Sequence, residues 1–180
     1  TGGAGFIGSH MVDVLLENDF EVRVIDNLSG GHERNLAHHA SEARLHFKYA
    51  DINSLKADDS IFHGANFVFH FAGIGDIVPS IEKPFDYMFT NVQGTVMVLE
   101  ASRNARVNKL VYAASSSCYG LADTPTNEDH PIAPQYPYAL SKFQGEQAVF
   151  HWHHVYGLPV NSIRIFNAYG TRVRTTGVYG

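Results

Sequence analysis

Thr1-Gly2-Gly3-Ala4-Gly5-Phe6-Ile7-Gly8 decides the fold, because its glycines form a G-x-x-G-x-x-G turn at the start of a predicted helix. Glycines let backbone amides approach an anion closely, and the helix N-terminus adds partial positive charge. The next predicted strand ends at Asp26, 18 residues beyond Gly8. In dinucleotide-binding folds, the acid that binds the adenosine ribose lies about 20 residues beyond the glycine motif. A turn that only joins strand to helix is the alternative, but the acid favours a dinucleotide site.

The rest of the chain alternates short β-branched or aromatic runs with longer segments of helical period, as in β-α-β units around a parallel sheet. The predicted strands are Glu21–Ile25, Leu45–Ala50, Asn66–Ala72, Lys109–Ser115 and Pro159–Phe166. The predicted helices are Phe6–Glu17, Tyr87–Asn104 and Tyr138–Tyr156. No repeat or flexible linker divides the chain. We therefore predict an α/β fold with a doubly wound parallel sheet, in a single domain over residues 1–180.

The composition indicates a folded, soluble protein. Charged residues make up 17% of the chain, against about 25% in typical domains. Thirteen Lys and Arg stand against 18 Asp and Glu, without a basic block, so nucleic acid is not an expected partner. Cys118 is the single cysteine, and no apolar run is long enough to span a bilayer. We expect no membrane partner and a reducing, cytoplasmic location.

Eleven histidines raise the question of a metal site. His151, His153 and His154 lie near a predicted helix end, where their spacing does not bring three side chains to one face. His38 and His39 are interpreted in the same way, as solvated side chains. The sequence therefore predicts no metal.

Eight segments follow one another in a fixed order along nearly the whole chain: Gly2–Gly8, Asp26–Leu28, Asp51–Ile52, Phe69–Gly73, Asn91, Ser115–Gly120, Tyr138–Lys142 and Arg164–Asn167. In this order the sequence resembles the extended short-chain dehydrogenase/reductase family, specifically its NAD-dependent nucleotide-sugar epimerases and dehydratases. The resemblance implies a Rossmann fold. Family members begin with a strand before Thr1 and continue past Gly180 into a smaller substrate lobe, so we expect this sequence to lack both.

The resemblance implies NAD as the cofactor. The implied contacts are Gly2, Gly5, Phe6, Ile7, Gly8, Asp26, Asn27, Asp51, Ile52, Phe71, Ala72, Gly73, Asn91, Ser115, Tyr138, Lys142 and Phe166. Asp26 would accept hydrogen bonds from both ribose hydroxyls and would repel a 2′-phosphate, which no adjacent Arg relieves. NAD is therefore favoured over NADP.

Tyr138 and Lys142 are four residues apart on a predicted helix, so their side chains share one face. An ammonium beside a phenol lowers its pKa from about 10, and the phenolate can then act as a base. Tyr and Lys also occur at this spacing by chance. However, Ser115–Ser117 end the preceding strand, where ligands bind in open α/β sheets. By resemblance, Ser115, with Ser116 second, completes a Ser/Tyr/Lys catalytic set; capping of the strand end is the other interpretation.

Ser116 and Ser117 also discriminate among reactions. By resemblance, dehydratases and decarboxylating members carry acids just after the catalytic Ser/Thr. Their absence favours 4-epimerisation of a nucleotide-diphosphate sugar through a transient 4-keto sugar, with Tyr138 removing the hydroxyl proton. A dehydratase or reductase of the same family and a non-catalytic NAD(H)-binding sensor module are the alternatives.

The implied substrate is a UDP-sugar. Its expected contacts are Gly75, Ser116, Tyr138, Asn167 and Arg172, although Arg172 is also interpreted as a solvated loop charge. By resemblance, simple UDP-galactose epimerases often carry a lysine near Gly75. This sequence has none there, which disfavours a plain hexose and leaves N-acetylated and uronic sugars open. By resemblance, two copies pair through the helices Tyr87–Asn104 and Tyr138–Tyr156 as a homodimer.

Overall fold

The computed structural model describes residues 1–173, which contain five strands and five α-helices. The strands are β1 (Val22–Asp26), β2 (Leu45–Tyr49), β3 (Phe67–His70), β4 (Lys109–Ser115) and β5 (Val160–Ile165). The α-helices are α1 (Phe6–Glu17), α2 (Ile77–Glu82), α3 (Pro84–Met88), α4 (Thr95–Asn104) and α5 (Pro137–Tyr156). Within the described range, none of the helices is long and apolar enough to cross a membrane.

The strands pair in parallel throughout: β1 with β2, and β4 between β3 and β5. Thr1 and Gly2 connect the two groups. The Gly2 N–H donates to the Ile25 carbonyl at 2.8 Å, and the Phe71 N–H donates to the Thr1 carbonyl at 3.1 Å. Parallel strands with helical crossovers confirm the predicted Rossmann-type α/β fold. Because parallel strands end at one edge, the residues that follow β1, β3 and β4 gather there.

β4 forms the centre of the core. Leu110 and Tyr112 are fully buried, and the strand is apolar on both faces, as expected for a central parallel strand. The long helix α5 packs against it. Pro137 begins α5, where its missing N–H costs nothing, and Gly157 ends it with a φ of 71°. This packing fixes the helix that carries the predicted Tyr–Lys pair.

The prediction of one helix over Tyr87–Asn104 is wrong. The helical region begins earlier, at Pro84, and Phe89–Gly94 forms a π-helical turn between α3 and α4. Such a turn holds an extra residue without interrupting the apolar pattern, so periodicity does not reveal it. Gly94 is the last residue of the turn. A glycine is needed at this position, because a Cβ there would lie 2.6 Å from Cδ1 of Ile52.

The other predicted elements agree with the structure to within one or two residues at each end. β3 is the most shortened of the strands, because the chain leaves the sheet at Phe71 and turns along the cleft described below. α2 was not predicted, since Pro79 stands inside it. Proline is tolerated there because it occupies the first helical turn.

Candidate active site

The glycine turn presents an uncapped helix end. α1 begins directly after Gly5, with no side-chain cap and no acid in its first turn. The N–H groups of that turn are therefore available to an anion. Gly2 adopts a φ of 71°, and a Cβ there would lie 2.5 Å from the Ala72 nitrogen. The close approach of this turn to the end of β3 thus requires glycine.

Asp26 at the end of β1 holds the turn in place. Its Oδ2 accepts a hydrogen bond from the Ala4 N–H at 2.9 Å, and its Oδ1 accepts one from the Leu28 N–H at 2.8 Å. A carboxylate has about four acceptor sites, so both oxygens keep capacity for a ligand. The next acid in the predicted site, Asp51, accepts a hydrogen bond from Asn27 Nδ2 at 2.9 Å.

Asn91 supports the segment that follows β3. The π-helical turn carries Asn91, whose Oδ1 accepts from the Ile74 N–H at 2.8 Å and whose Nδ2 donates to the Ile74 carbonyl at 3.0 Å. Its Nδ2 also donates to Ser141 Oγ at 2.9 Å, which ties the segment to α5. A Cβ on Gly73 would lie 2.9 Å from Asn91 Oδ1. Only glycine fits between this amide and the cleft.

Lys142 is a buried cation beside the predicted base. Its Nζ lies 4.5 Å from the centre of the Tyr112 ring. Burial lowers the pKa of Lys142 to about 8, although Glu146 raises it. One turn earlier on α5, Tyr138 stacks with Tyr136 at 6.4 Å between ring centres. Tyr138 and Lys142 are four residues apart on α5, so the phenol and the ammonium share one face of the helix.

Ser115 ends β4 and caps the short 3-10 helix Ser116–Tyr119. Its Oγ accepts a hydrogen bond from the Ser117 N–H at 3.2 Å, so the capping interpretation describes part of its role. The Oγ atoms of Ser115 and Ser117 also lie 2.7 Å apart, within hydrogen-bonding distance. Capping fixes the backbone while leaving the hydroxyl beside the cleft.

A buried ion pair supports the site from below. Arg164 on β5 donates from Nη2 to Glu146 Oε2 at 2.9 Å and from Nε to both carboxylate oxygens at 3.1 Å. Ser162 Oγ also donates to Glu146, at 2.6 Å. On its other side, Arg164 Nη1 donates to the Tyr119 hydroxyl at 2.7 Å. The pair therefore links α5, β5 and the segment after β4.

A cleft of about 640 Å³ at the carboxyl ends of the strands collects these groups. It is lined by all the predicted cofactor contacts except Asn91, which lies behind Gly73. The predicted catalytic residues Ser115, Ser116, Tyr138 and Lys142 line it, as do the predicted substrate contacts Gly75 and Asn167. The fold thus brings together side chains separated by more than 100 residues.

Arg172 is the predicted substrate contact that the structure does not bring to the cleft. Its side chain does not line the cleft, and its Nη2 lies 2.8 Å from Oδ2 of Asp13 on α1. Several cleft residues were not among the predicted contacts, including Ser29, Gly30, Gly31, Thr90 and Tyr136. The Ser29–Gly31 run directly after the Asp26 segment was the available signal.

The cleft fits a dinucleotide. Its volume lies within the roughly 300–1,000 Å³ of small-molecule sites. The uncapped N-terminus of α1 can bind a pyrophosphate, and Asp26 at the end of β1 can bind a ribose. Gly73 leaves space in the cleft that a side chain would occupy.

Comparison with known proteins agrees with this geometry. A model of the NAD dependent epimerase/dehydratase family matches residues 1–179. The UDP-glucose 4-epimerase of Halalkalibacterium halodurans is 37% identical, over 94% of this chain and 50% of that protein. The dTDP-glucose 4,6-dehydratase of Streptomyces venezuelae, solved with NAD bound, is 34% identical with a TM-score of 0.90, over 96% and 56% of the two chains.

The UDP-N-acetylglucosamine 4-epimerase of Methanobrevibacter ruminantium, solved with UDP-N-acetylmuramic acid, is 32% identical with a TM-score of 0.92. The match covers 99% of this chain and 57% of that one. The chain thus spans between 50% and 57% of the length of these relatives. It belongs to the NAD dependent epimerase/dehydratase family, which confirms the family and the cofactor expected from its sequence.

Proposed function

We propose that the protein is a 4-epimerase of a nucleotide-diphosphate sugar, with a UDP-sugar as substrate. The observation that carries the proposal is the pair Ser116 and Ser117 after β4, on the wall of the cleft. Elimination of water needs an acid to protonate the leaving hydroxyl, and a serine hydroxyl is a poor proton donor at neutral pH. Oxidation and re-reduction at a single carbon need no such acid.

The names of the relatives leave this choice open. An epimerase and a dehydratase match the chain at 37% and 34% identity, so similarity alone supports either reaction. The residues after β4 are therefore the basis of the proposal.

Tyr138 is the proposed base for the sugar hydroxyl. The Lys142 ammonium keeps its charge near neutral pH, because its pKa remains at about 8 despite burial. That charge favours the phenolate form of Tyr138. Ser115 would carry the proton between the sugar and Tyr138, with Ser117 holding the Ser115 hydroxyl at 2.7 Å.

NAD, when bound, supplies the hydride acceptor and donor. The first turn of α1 would hold its pyrophosphate, and Asp26 would hold its adenosine ribose. Lys142 would contact the nicotinamide ribose. The Asn91 amide would keep the Gly73 segment open for it through its bonds to Ile74.

Dehydration is the second candidate reaction, because one further acid lines the cleft. Asp76 follows Gly75 with a φ of 79° and precedes α2. A carboxylate at this position could serve as the acid that Ser116 and Ser117 lack. The variant Asp76→Asn therefore separates the two reactions.

The test is a panel of UDP- and dTDP-sugars, incubated with the full-length protein and NAD and analysed by mass spectrometry and NMR. We expect a product of unchanged mass that is inverted at C4. Tyr138→Phe keeps the aromatic stacking and should lower turnover by about 10²–10⁴-fold. Asp76→Asn should leave epimerisation intact. A product lacking one water, formed by the wild type and lost in Asp76→Asn, would establish a dehydratase.

We also propose a homodimer. The two helices expected to pair carry exposed large apolar side chains: Phe89, Leu140 and Phe150. Such exposure on neighbouring helices is typical of an interface. Light scattering on the full-length protein should give twice the chain mass, and Phe150→Glu should shift it toward the monomer. A monomeric wild type at micromolar concentration would contradict the proposal.

A further inference from the structure

Asp13, His38 and His39 meet at one point, although the sequence separates them. Asp13 lies on α1, and the two histidines end the 3-10 helix Ala37–His39 between β1 and β2. Nε2 of His38 and Nε2 of His39 each lie 2.8 Å from the same atom, Oδ1 of Asp13. The three ligand atoms all lie within 4.8 Å of one another. Two imidazoles and one carboxylate therefore converge.

We propose that this cluster binds one divalent transition-metal ion of the zinc class. Imidazole nitrogen and carboxylate oxygen bind Zn²⁺ at about 2.0–2.2 Å, which places ligand atoms of a tetrahedral site about 3.3 Å apart. The contacts of 2.8 Å would need to open by only about 0.5 Å. The His38 side chain is 45% exposed and can move by that amount, leaving the remaining position to water.

The ligand atoms are chemically ready for a cation. An aspartate side chain has a reference pKa of about 3.9, so Asp13 is a carboxylate at neutral pH. Nitrogen atoms of His38, His39 and Arg172 each lie 2.8 Å from its oxygens. When the ion binds, each histidine gives up its Nε2 proton, either to solvent or by moving to the Nδ1–H tautomer.

Arg172 orients the carboxylate for binding through one oxygen. Its Nη2 occupies Oδ2 of Asp13 at 2.8 Å and leaves Oδ1 to the two histidines. Ligating carboxylates commonly have such an outer hydrogen bond. The guanidinium also lies 3.5 Å from His38 Nε2, so its charge opposes the ion. We therefore expect micromolar rather than nanomolar affinity.

The cluster is separate from the candidate active site. Asp13, His38 and His39 do not line the dinucleotide cleft. An ion here would tie α1 to the segment between β1 and β2. Its expected effect is therefore on stability, since a ligand that binds only the folded state raises the melting temperature.

The test is isothermal titration of the EDTA-treated full-length protein with ZnCl₂ at pH 7.5, repeated with Co²⁺ to record its visible spectrum. We expect one equivalent to bind with micromolar affinity, and Zn²⁺ to raise the melting temperature. Asp13→Asn and His39→Gln should each weaken binding by about 10–100-fold or more. His154→Gln, which removes an exposed histidine on α5, is the matched control and should change nothing.

Two results would overturn the proposal. One is wild-type binding weaker than millimolar, in which case the cluster is a hydrogen-bonded contact only. The other is one-equivalent binding that survives both Asp13→Asn and His39→Gln, which would place the ion elsewhere. Melting temperatures measured in EDTA show whether each variant is folded before it is titrated. If Asp13→Asn does not fold, His38→Gln, at the most exposed ligand, takes its place.

Discussion

Replacing Arg164 with methionine removes the counterion beneath the candidate active site. Methionine keeps an apolar stem but has no donors, so Glu146 loses its bonds from Nε and Nη2. The Glu146 side chain is only 2% exposed, so water cannot replace those donors in place. The bond from Ser162 Oγ, at 2.6 Å, and the electrostatic attraction of Lys142 would remain.

Leaving one member of a buried ion pair without its partner costs about 3–5 kcal/mol. Arg164 is 20% exposed and therefore less fully desolvated than Glu146, so we expect about 3–4 kcal/mol for Arg164→Met. Glu146→Gln keeps the shape of the side chain and removes the buried charge, and should cost about 1–2 kcal/mol. Arg164→Met should then cost less in the Glu146→Gln background than in the wild type, because no charge is left unpaired.

Urea unfolding measures these differences through the fluorescence of Trp152, the single tryptophan. The matched control is Lys48→Met, which breaks an ion pair with Asp59 in which the lysine is 41% exposed. Its expected cost is about 1 kcal/mol or less. An Arg164→Met cost as small as the control's would refute the reasoning. So would a cost that Glu146→Gln leaves unchanged.

Lys142 should make stability depend on pH. Burial lowers its pKa from 10.5 to about 8, so the unfolded chain binds the proton more tightly, and the free energy of unfolding should rise from about pH 8 to 10.5. Urea titrations of Lys142→Met should lack this rise. Gly73→Ala would place a Cβ 2.9 Å from Asn91 Oδ1, so calorimetry should show NAD affinity about tenfold lower; unchanged affinity would contradict the described packing. Asp26→Asn removes a charge that repels a 2′-phosphate, so the ratio of NADP to NAD affinity should rise by about tenfold. An equal loss of affinity for both cofactors would mean that Asp26 only holds the glycine turn.

Features that depend on residues close together in the sequence were predictable. The helix after the glycine turn, the acid after β1 and the Tyr138–Lys142 pair all follow from spacings within one or two elements. The low pKa of Lys142 was not predictable, because it depends on burial beside Tyr112, which belongs to another element. Local sequence patterns predict which residue occupies a position and which face of the helix it lies on. Tertiary packing determines the pKa of its side chain.

Contacts between distant parts of the chain were also not predictable for the arginine and histidine residues outside the cleft. The sequence predicts that Arg172 is a substrate contact or a solvated loop charge and that His38 is a solvated side chain. In the structure both meet Asp13, which lies on α1. No sequence period links residues so far apart, so the contact depends on the tertiary arrangement of three surface segments.

The π-helical turn at Phe89–Gly94 limits how this part of the chain can change length. Each helical residue turns the chain by about 100°, so deleting one residue here would restore α-helical winding but swing Asn91 away from Ile74. Surface loops accept such deletions at little cost. The number of residues in the π-helical turn between α3 and α4 is therefore fixed. Single-residue deletions should be tolerated in the 121–135 loop and excluded from 89–94, a contrast that a deletion library can measure.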